Sequence, residues 1–588
     1  MRNIFILSII FFTNTLLNAQ NSINISADNI KKNLSYLASD ELKGRKPGTT
    51  EDSLTASFIR LKLTEYGTTP IFDKGFQRFY VVTDIKPGKR NILKINGVAA
   101  KINENYSPAS FSSSDSLESN AVFAGYGFDI NQDSVKWKDY DSVDVKNKWV
   151  IIIQGKPAGN GNKTISGNSK DRTKVLTAKD KGAKGILLIH EKTEQKNLPS
   201  GTFDKTVSDA GIPVFYISWA YAEIILKENN IDLNTIKSNS SKEHKSVSAQ
   251  LKTTVLGVTD IIQVKETTYN IVTQIEGSDP VLKNEYIVIG GHYDHLGIGG
   301  KESGSRMPDT IAVHNGADDN ASGIAGLMEL AKAFSSSPNK LKRTLIFVAF
   351  SGEEMGLLGS KQFVKEPPVP LKSIKAMFNF DMIGRMKTEN PKLSIGGTGT
   401  SAETDSIINL FDKDLPFKIS KSTEGYGPSD HASFYKNDIP VFAFTSGVHD
   451  DYHTPFDDIE KINFDQEANI LKFSYSLINC IANLDKPLQF KEAGSKEDNP
   501  VRSYKVTLGI IPDVVGSTEN GLAVDGVKKG SPAEGGGIKK GDVITSMNGL
   551  PVTNIYDYMT RLNTLTKGQV IDVEVLRDGK KEILKVKL

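Results

Sequence analysis

Cysteine is almost absent: Cys480 is the only one in 588 residues. No disulfide can close within the chain, and none is available behind a leader to take a lipid. A charge excess is missing as well. Lys plus Arg (72) nearly cancels Asp plus Glu (70), with no long basic block, so no nucleic acid and no anionic membrane is expected as a main partner. Beyond the first twenty residues no run is long and apolar enough to cross a bilayer, so no transmembrane anchor is expected. What remains is ordinary globular composition, 38% apolar and 24% charged, in a chain whose length predicts roughly two to four domains.

The N-terminus departs from that average. "MRNIFILSIIFFTNTLLNAQ" places Arg2 before an apolar stretch from Ile4 to Phe12, then Leu-Asn-Ala before Gln20. This pattern predicts a signal peptide over 1–19, cleaved after Ala19, and an exported protein, periplasmic or secreted. Residues 23–66 read as helical with a Gly/Pro/Thr break at 47–50, inside an N-terminal segment 20–118. Residues 119–255 differ: short strands ("WVIIIQG", "GILLIHE"), a helix near "TKVLTAKDKGA", and a low-complexity patch, "KSNSSKEHKS", expected as exposed loop. From 256 to 487 strand-like runs (Tyr286–Gly290, Thr344–Phe350, Ala376–Phe380, Val441–Phe444) alternate with helix-like runs (Ala321–Ser335, Asp465–Leu484). Such alternation predicts an α/β domain with a mostly parallel sheet and helices on both faces. A polar linker (488–503) and a small domain of short strands (504–588), with a helix near Asn554–Asn563, complete the chain.

Six of the eight histidines fall between His292 and His453. Candidate ligands sit just past strand ends: "IGGHYDHLG", "FSGEE", "NFDMIG" and "GVHDDYHTPFDD", with "NGADDNASG" opening a helix. Ligand sites of open α/β sheets collect at the carboxyl ends of strands. Histidine and carboxylate without cysteine suit catalytic zinc, and a pair of zinc ions about 3.5 to 4 Å apart needs a shared carboxylate and two further ligands each. The sequence supplies Asp319 as the bridge, His292 and Asp381 for one ion, and Glu354 and His453 for the other. Asp294, two residues beyond His292, is the expected acceptor that fixes the imidazole tautomer. Taken singly each residue has a plainer explanation, Asp318 to Asn320 as a helix cap for instance; the conjunction carries the assignment.

The adjacent acids Glu353 and Glu354 then divide their work. Glu354 binds metal, whose charge relieves the crowding of carboxylates. Glu353 stays free beside a water whose pKa zinc lowers to roughly 7, taking its proton and later delivering it to the departing amine.

At these residues the chain resembles the co-catalytic di-zinc aminopeptidase family, through His-x-Asp at His292/Asp294, Asp319–Gly323, the Glu353–Glu354 pair, Asp381 in "NFDMIG" and "YHTPFDD" from Tyr452. The likeness covers 270–487 in detail and 23–115 loosely. It implies the same roles, two zinc ions, peptide substrates with a free N-terminus and attack by a metal-bound hydroxide with Glu353 as base. It adds Tyr452 as donor to the tetrahedral oxyanion, and "SDHASF" (429–434) as pocket lining. Residues 119–255 resemble an inserted protease-associated domain. The C-terminal segment resembles a PDZ domain, whose loop Leu508, Gly509, Ile510, Ile511 would hold a peptide carboxylate by its backbone N–H groups, making a protein C-terminus a partner. Carboxypeptidases, glutaminyl cyclases and receptor-like relatives share the fold, so fold alone leaves these activities open. A carboxypeptidase needs a cation for the substrate's carboxylate, and Arg385 lies close to Asp381 in sequence.

Overall fold

The four apolar runs expected as strands lie side by side in one sheet. In the computed structural model, residues 24–494 and 506–588 are described, apart from 133–134, 158–164, 167–168, 191–197, 200–209, 244–246, 302, 519–520, 528–529, 553–557, 559–560 and 563–564. The leader expected at 1–19 and most of the helix expected near Asn554–Asn563 lie outside the described residues. Two compact units emerge: Met1–Val81 with Glu266–Leu588, and Val82–Lys265.

The nine-stranded sheet includes β1 (Ile261–Ile275), β2 (Tyr286–His292), β3 (Thr344–Phe350), β4 (Ile374–Phe380), β5 (Lys392–Gly396), β6 (Lys418–Lys421) and β7 (Val441–Thr445). Their order is β1-β3-β2-β4-β7-β5-β6. Strands β3, β2, β4 and β7 are mutually parallel, while β1 and β5 add antiparallel neighbours to β3 and β7. After β2 the chain steps to β3 on one side, then returns to β4 on the other. This reversal of direction opens a crevice beyond the end of β2, the place where such sheets bind ligands.

Strand side chains alternate between two apolar layers. Ile287, Ile289, Leu345, Phe347 and Phe378 pack with the helices α1 (Ala27–Leu37), α2 (Thr50–Glu65), α3 (Gly323–Ser336) and Phe464–Asn483. Val288, Ile346, Val348 and Met377 face the other way, against Phe363 and Phe434. Both faces are covered, and all seven residues of β3 are buried, which is why that strand reads as an unbroken apolar run.

The break between α1 and α2 is wider than 47–50: a short 3-10 turn at Asp40–Leu42 and the buried Arg45 occupy it. The first residues of the stretch expected as linker, 488–494, are anchored. Leu488 is buried, and Tyr435 Oη donates to Gly494 O (2.8 Å) and accepts from Ala493 N (2.9 Å). The polarity of "KEAGS" conceals this anchoring.

The second unit holds an eight-stranded sheet in which Ser116–Ala124, Trp149–Ile153, Gly185–Ile189 and Val214–Ile217 run parallel. It takes in Ile92–Ile95, paired with Ser248–Val258, and so extends beyond 119–255. Trp149 lies across Gly185 and Gly257, where an added Cβ would sit 2.6 and 2.4 Å from its ring. The patch expected as loop is helical as far as Glu243. Asp232 starts that helix by accepting N–H from Asn234 (3.0 Å) and Thr235 (3.3 Å), a cap strong enough to offset the Ser/Asn content.

The C-terminal segment forms a small antiparallel sheet around Leu508, Leu522, Ile544, Val573 and Val575.

Candidate metal centre

Three of the parallel strands, β2, β3 and β4, present candidate site residues where they end. His292 is the last residue of β2, Glu353 and Glu354 follow β3, and Asp381 follows β4. Asp319 comes from the turn of irregular backbone ahead of α3, where the Asp319–Asn320 peptide is cis. Asn320 ties this turn to the end of β4: its Nδ2 donates to Phe380 O (2.8 Å), and its Oδ1 accepts from Met382 N (3.2 Å) and Gly323 N (2.9 Å).

Two clusters result, and Asp319 belongs to both. His292, Asp319 and Asp381 place their ligand atoms within 4.8 Å of one another, as do His295, Asp319 and Glu354. In the first, His292 Nε2 lies 3.4 Å from Asp319 Oδ1 and 3.5 Å from Asp381 Oδ1. Beside the second, His453 Nε2 lies 3.1 Å from Asp319 Oδ2 and 3.2 Å from Glu354 Oε1. Asp319 thus turns one oxygen to each side, as a bridging carboxylate must. Donors held 2.0–2.1 Å from a tetrahedral zinc are about 3.3–3.4 Å apart, so these spacings fit the ion. His292 Nε2, Asp319 Oδ2 and Glu354 Oε1 are buried without a hydrogen-bond partner. Such a concentration of unsatisfied polar atoms costs free energy unless a ligand completes it.

Charges respond accordingly. Burial would raise the Glu354 carboxyl, but the charge of His453 and the close approach of both histidine rings carry it down to about 2. Burial works against a proton on His453, yet Glu354 and Asp319 raise its pKa to about 11. Burial, reinforced by Glu354, Asp430 and Asp381 against the pull of His292, holds Glu353 well above the usual carboxylate range. The two neighbouring glutamates are therefore driven in opposite directions.

Asp294 differs from expectation in its partners. Its carboxylate accepts from Glu353 N (3.1 Å) and Glu354 N (3.3 Å). The hydrogen bond from His292 Nδ1 goes to the Asp294 main-chain carbonyl (3.2 Å) instead. Burial disfavours its charge and lifts its pKa to about 8, against the pull of His292 and of the Glu353 amide. His453 donates from Nδ1 to Gly304 O (3.2 Å), leaving Nε2 for a metal. Tyr452 stacks on His453, ring centroids 3.8 Å apart. Burial, with the charges of Asp319, Glu354, Glu353 and Asp381, raises its phenol well above the ordinary value, so it keeps its proton as a donor.

Several residues at the site were not assigned from the sequence. His295 joins the second cluster. Asp457 accepts the N–H of Asp318 and of Asp319, both at 3.0 Å. Arg45, wholly buried, donates to Tyr293 O (2.7 Å), Gly316 O (3.0 Å) and the carbonyls of Leu37 and Asn315. Asp430, in "SDHASF", is buried with both oxygens unpartnered and contributes to the raised pKa of Glu353. The second histidine of "HYDH" and the aspartates of "TPFDD" were visible signals; nothing local marks "GRKPG". Arg385, the cation considered for a substrate carboxylate, is paired instead with Asp451 (3.1 Å) and Asp457 (3.7 Å).

At the loop expected to bind a carboxylate, Leu508 is buried and its carbonyl accepts from Ala533 N (2.8 Å). Gly509 has φ +75°, and its N–H is already donated to Thr507 Oγ1 (3.0 Å). Ile510 and Ile511 open the first strand, paired with Val527 and Gly526.

Residues 270–477 match the model of peptidase family M28. Residues 506–588 match the PDZ domain. The M28 segment is similar to Leupeptin-inactivating enzyme 1 of Streptomyces exfoliatus, 32% identical over 183 residues, 31% of this chain and 36% of that protein. It is also similar to a probable leucine aminopeptidase of Arthroderma benhamiae, 31% identical over 178 residues, 29% of this chain and 44% of that protein. The chain thus spans less than half the length of these relatives. Among solved structures, an aminopeptidase from Aneurinibacillus sp. strain AM-1 aligns over 81% of this chain and 97% of its own, at 20% identity and TM-score 0.44.

Proposed function

We propose that the chain is an exported, zinc-dependent aminopeptidase that hydrolyses the N-terminal peptide bond of peptides. The observation that carries this reading is the bridging Asp319, with one oxygen toward His292 (3.4 Å) and the other toward His453 (3.1 Å). His292, Asp381 and Asp319 would hold one zinc ion, and Glu354, His453 and Asp319 the other. When bound, the pair supplies the positive charge that acidifies a water and polarises the scissile carbonyl.

The chain's own groups do the rest. Glu353, whose carboxyl burial keeps ready to hold a proton, accepts the proton of the attacking water and returns it to the leaving amine. Tyr452 donates its O–H to the oxyanion. Glu353 and Asp381 are the carboxylates available to the substrate's free amine. The pairing of Arg385 with Asp451 and Asp457 favours this reading over a carboxypeptidase, and the full set of candidate ligands favours an enzyme over a receptor. The inserted unit we read as a protease-associated domain and the PDZ domain as a site for a protein C-terminus. The residues 1–19 support export, and no helix among the described residues is long and apolar enough to cross a membrane.

Purified protein incubated with free-amine, N-blocked and C-terminally acidic peptides, with and without chelator, separates these readings. Release of the first residue from free-amine peptides alone, abolished by chelator and restored by zinc, is expected. Cleavage from the carboxyl end, or intact peptides throughout, contradicts the proposal.

A further inference from the structure

The second cluster holds more nitrogen than a symmetric pair of sites requires. We propose that His295 is a fourth protein donor to the second metal position, so that the two positions of the centre are chemically unequal. This rests on the zinc reading above. His295 is 1% exposed, and neither ring nitrogen has a hydrogen-bond partner. A buried imidazole in that state pays a cost of lost hydration that the nearby Glu354 oxygen offsets only on the Nδ1 side, and coordination would recover it.

Its Nδ1 lies 2.8 Å from Glu354 Oε1 and 3.7 Å from Asp319 Oδ2, the two oxygens that His453 Nε2 approaches at 3.2 and 3.1 Å. All four separations straddle the roughly 3.3–3.4 Å between donors of a tetrahedral zinc. The backbone makes room for the ring: Gly316 has φ +54°, and a Cβ there would fall 2.6 Å from His295 Cδ2.

The donor sets then differ in number. Asp319, His292 and Asp381 give the first position three protein ligands and leave tetrahedral zinc one open place. Asp319, Glu354, His453 and His295 give the second position four and close it. The first position is therefore where water and substrate enter, beside Glu353, and the second is the more tightly held anchor. The competing role for His295 is that of an N–H donor to Glu354, without contact to metal.

X-ray absorption on the wild-type chain loaded with two zinc ions counts the imidazoles directly. Three histidine ligands per pair of ions are expected; two overturn the proposal while leaving the zinc centre intact. Chelator competition on H295A and H295Q gives a second readout. Glutamine can still donate N–H to Glu354 but is a poor zinc ligand. Both variants should therefore hold one ion as the wild type does and the other more weakly, by more than the roughly 10–100-fold that loss of an outer partner brings. H295Q that binds both ions with wild-type affinity contradicts the assignment. A wild-type chain that takes up no zinc overturns this proposal together with the reading beneath it.

Discussion

Asp457 Oδ2 accepts the backbone N–H of Asp319 at 3.0 Å. The segment that brings His453 to the centre thereby also fixes the main chain of the bridging carboxylate. Asp457 in turn lies near His449 Nε2 (3.8 Å) and Arg385 (3.7 Å), and burial, with Asp318 nearby, lifts its pKa to about 6. Ligand geometry and this buried network are mechanically one object.

Replacing Asp457 by Ala removes the acceptor for two amides in a dry site. Zinc affinity should fall about 10–100-fold, while D457N, which retains a carbonyl acceptor, should recover much of the loss. Chelator competition on both variants measures this; wild-type affinity in D457A would remove Asp457 from the support of Asp319.

Zinc uptake should release protons. Without metal His453 holds its proton up to about pH 11 because Glu354 and Asp319 stabilise the imidazolium, and His292 is raised in the same sense. Ligation requires the neutral ring, so around pH 7 binding must expel these protons, and apparent affinity rises with pH. Calorimetry in buffers of different ionisation enthalpy reads the number directly. A binding heat independent of buffer would contradict it.

Arg45 joins four carbonyls of three segments: Leu37 at the end of α1, Tyr293 after β2, and Asn315 and Gly316 before Asp319. Burial lowers its pKa to about 10 against the pull of Asp319 and Asp294, so it remains charged at neutral pH. Arg45→Met leaves buried acceptors unsatisfied and should cost about 3 kcal/mol or more, with zinc affinity falling alongside. Urea unfolding measures the first, and an unchanged midpoint would contradict the role.

In the inserted unit Gly257→Ala forces a methyl to within 2.4 Å of the Trp149 ring. Overpacking of this kind costs about 1–3 kcal/mol, visible as a lower thermal midpoint. A neutral change would mean that Trp149 repacks freely.

Legibility followed periodicity and chemistry. β2, β3, β4 and β7 are short apolar runs, and His292, Asp319, Glu354, Asp381 and His453 stand at their ends or at the mouth of a helix, so sequence alone assembles them. Arg45 is not legible because a buried arginine looks like any surface one until its carbonyl partners, three of them 248 to 271 residues away, are in place. The partners of Asp294 are not legible, since main-chain amides and carbonyls leave no trace in sequence. His295 is visible as the second histidine of "HYDH", but one histidine per metal position already completes the expected donor count. The Lys/Ser/Asn patch at 237–243 was misjudged from composition, while the Asp232 cap made it helical.

The division of labour between Glu353 and Glu354 is the core of the account. Glu353→Ala, purified and assayed on a free-amine peptide with its zinc content measured in parallel, tests it most directly. The variant should keep two zinc ions per chain and lose about 100-fold to 10,000-fold in turnover, the range for a positioned base. Turnover at the wild-type level with both ions in place would show that Glu353 carries no proton.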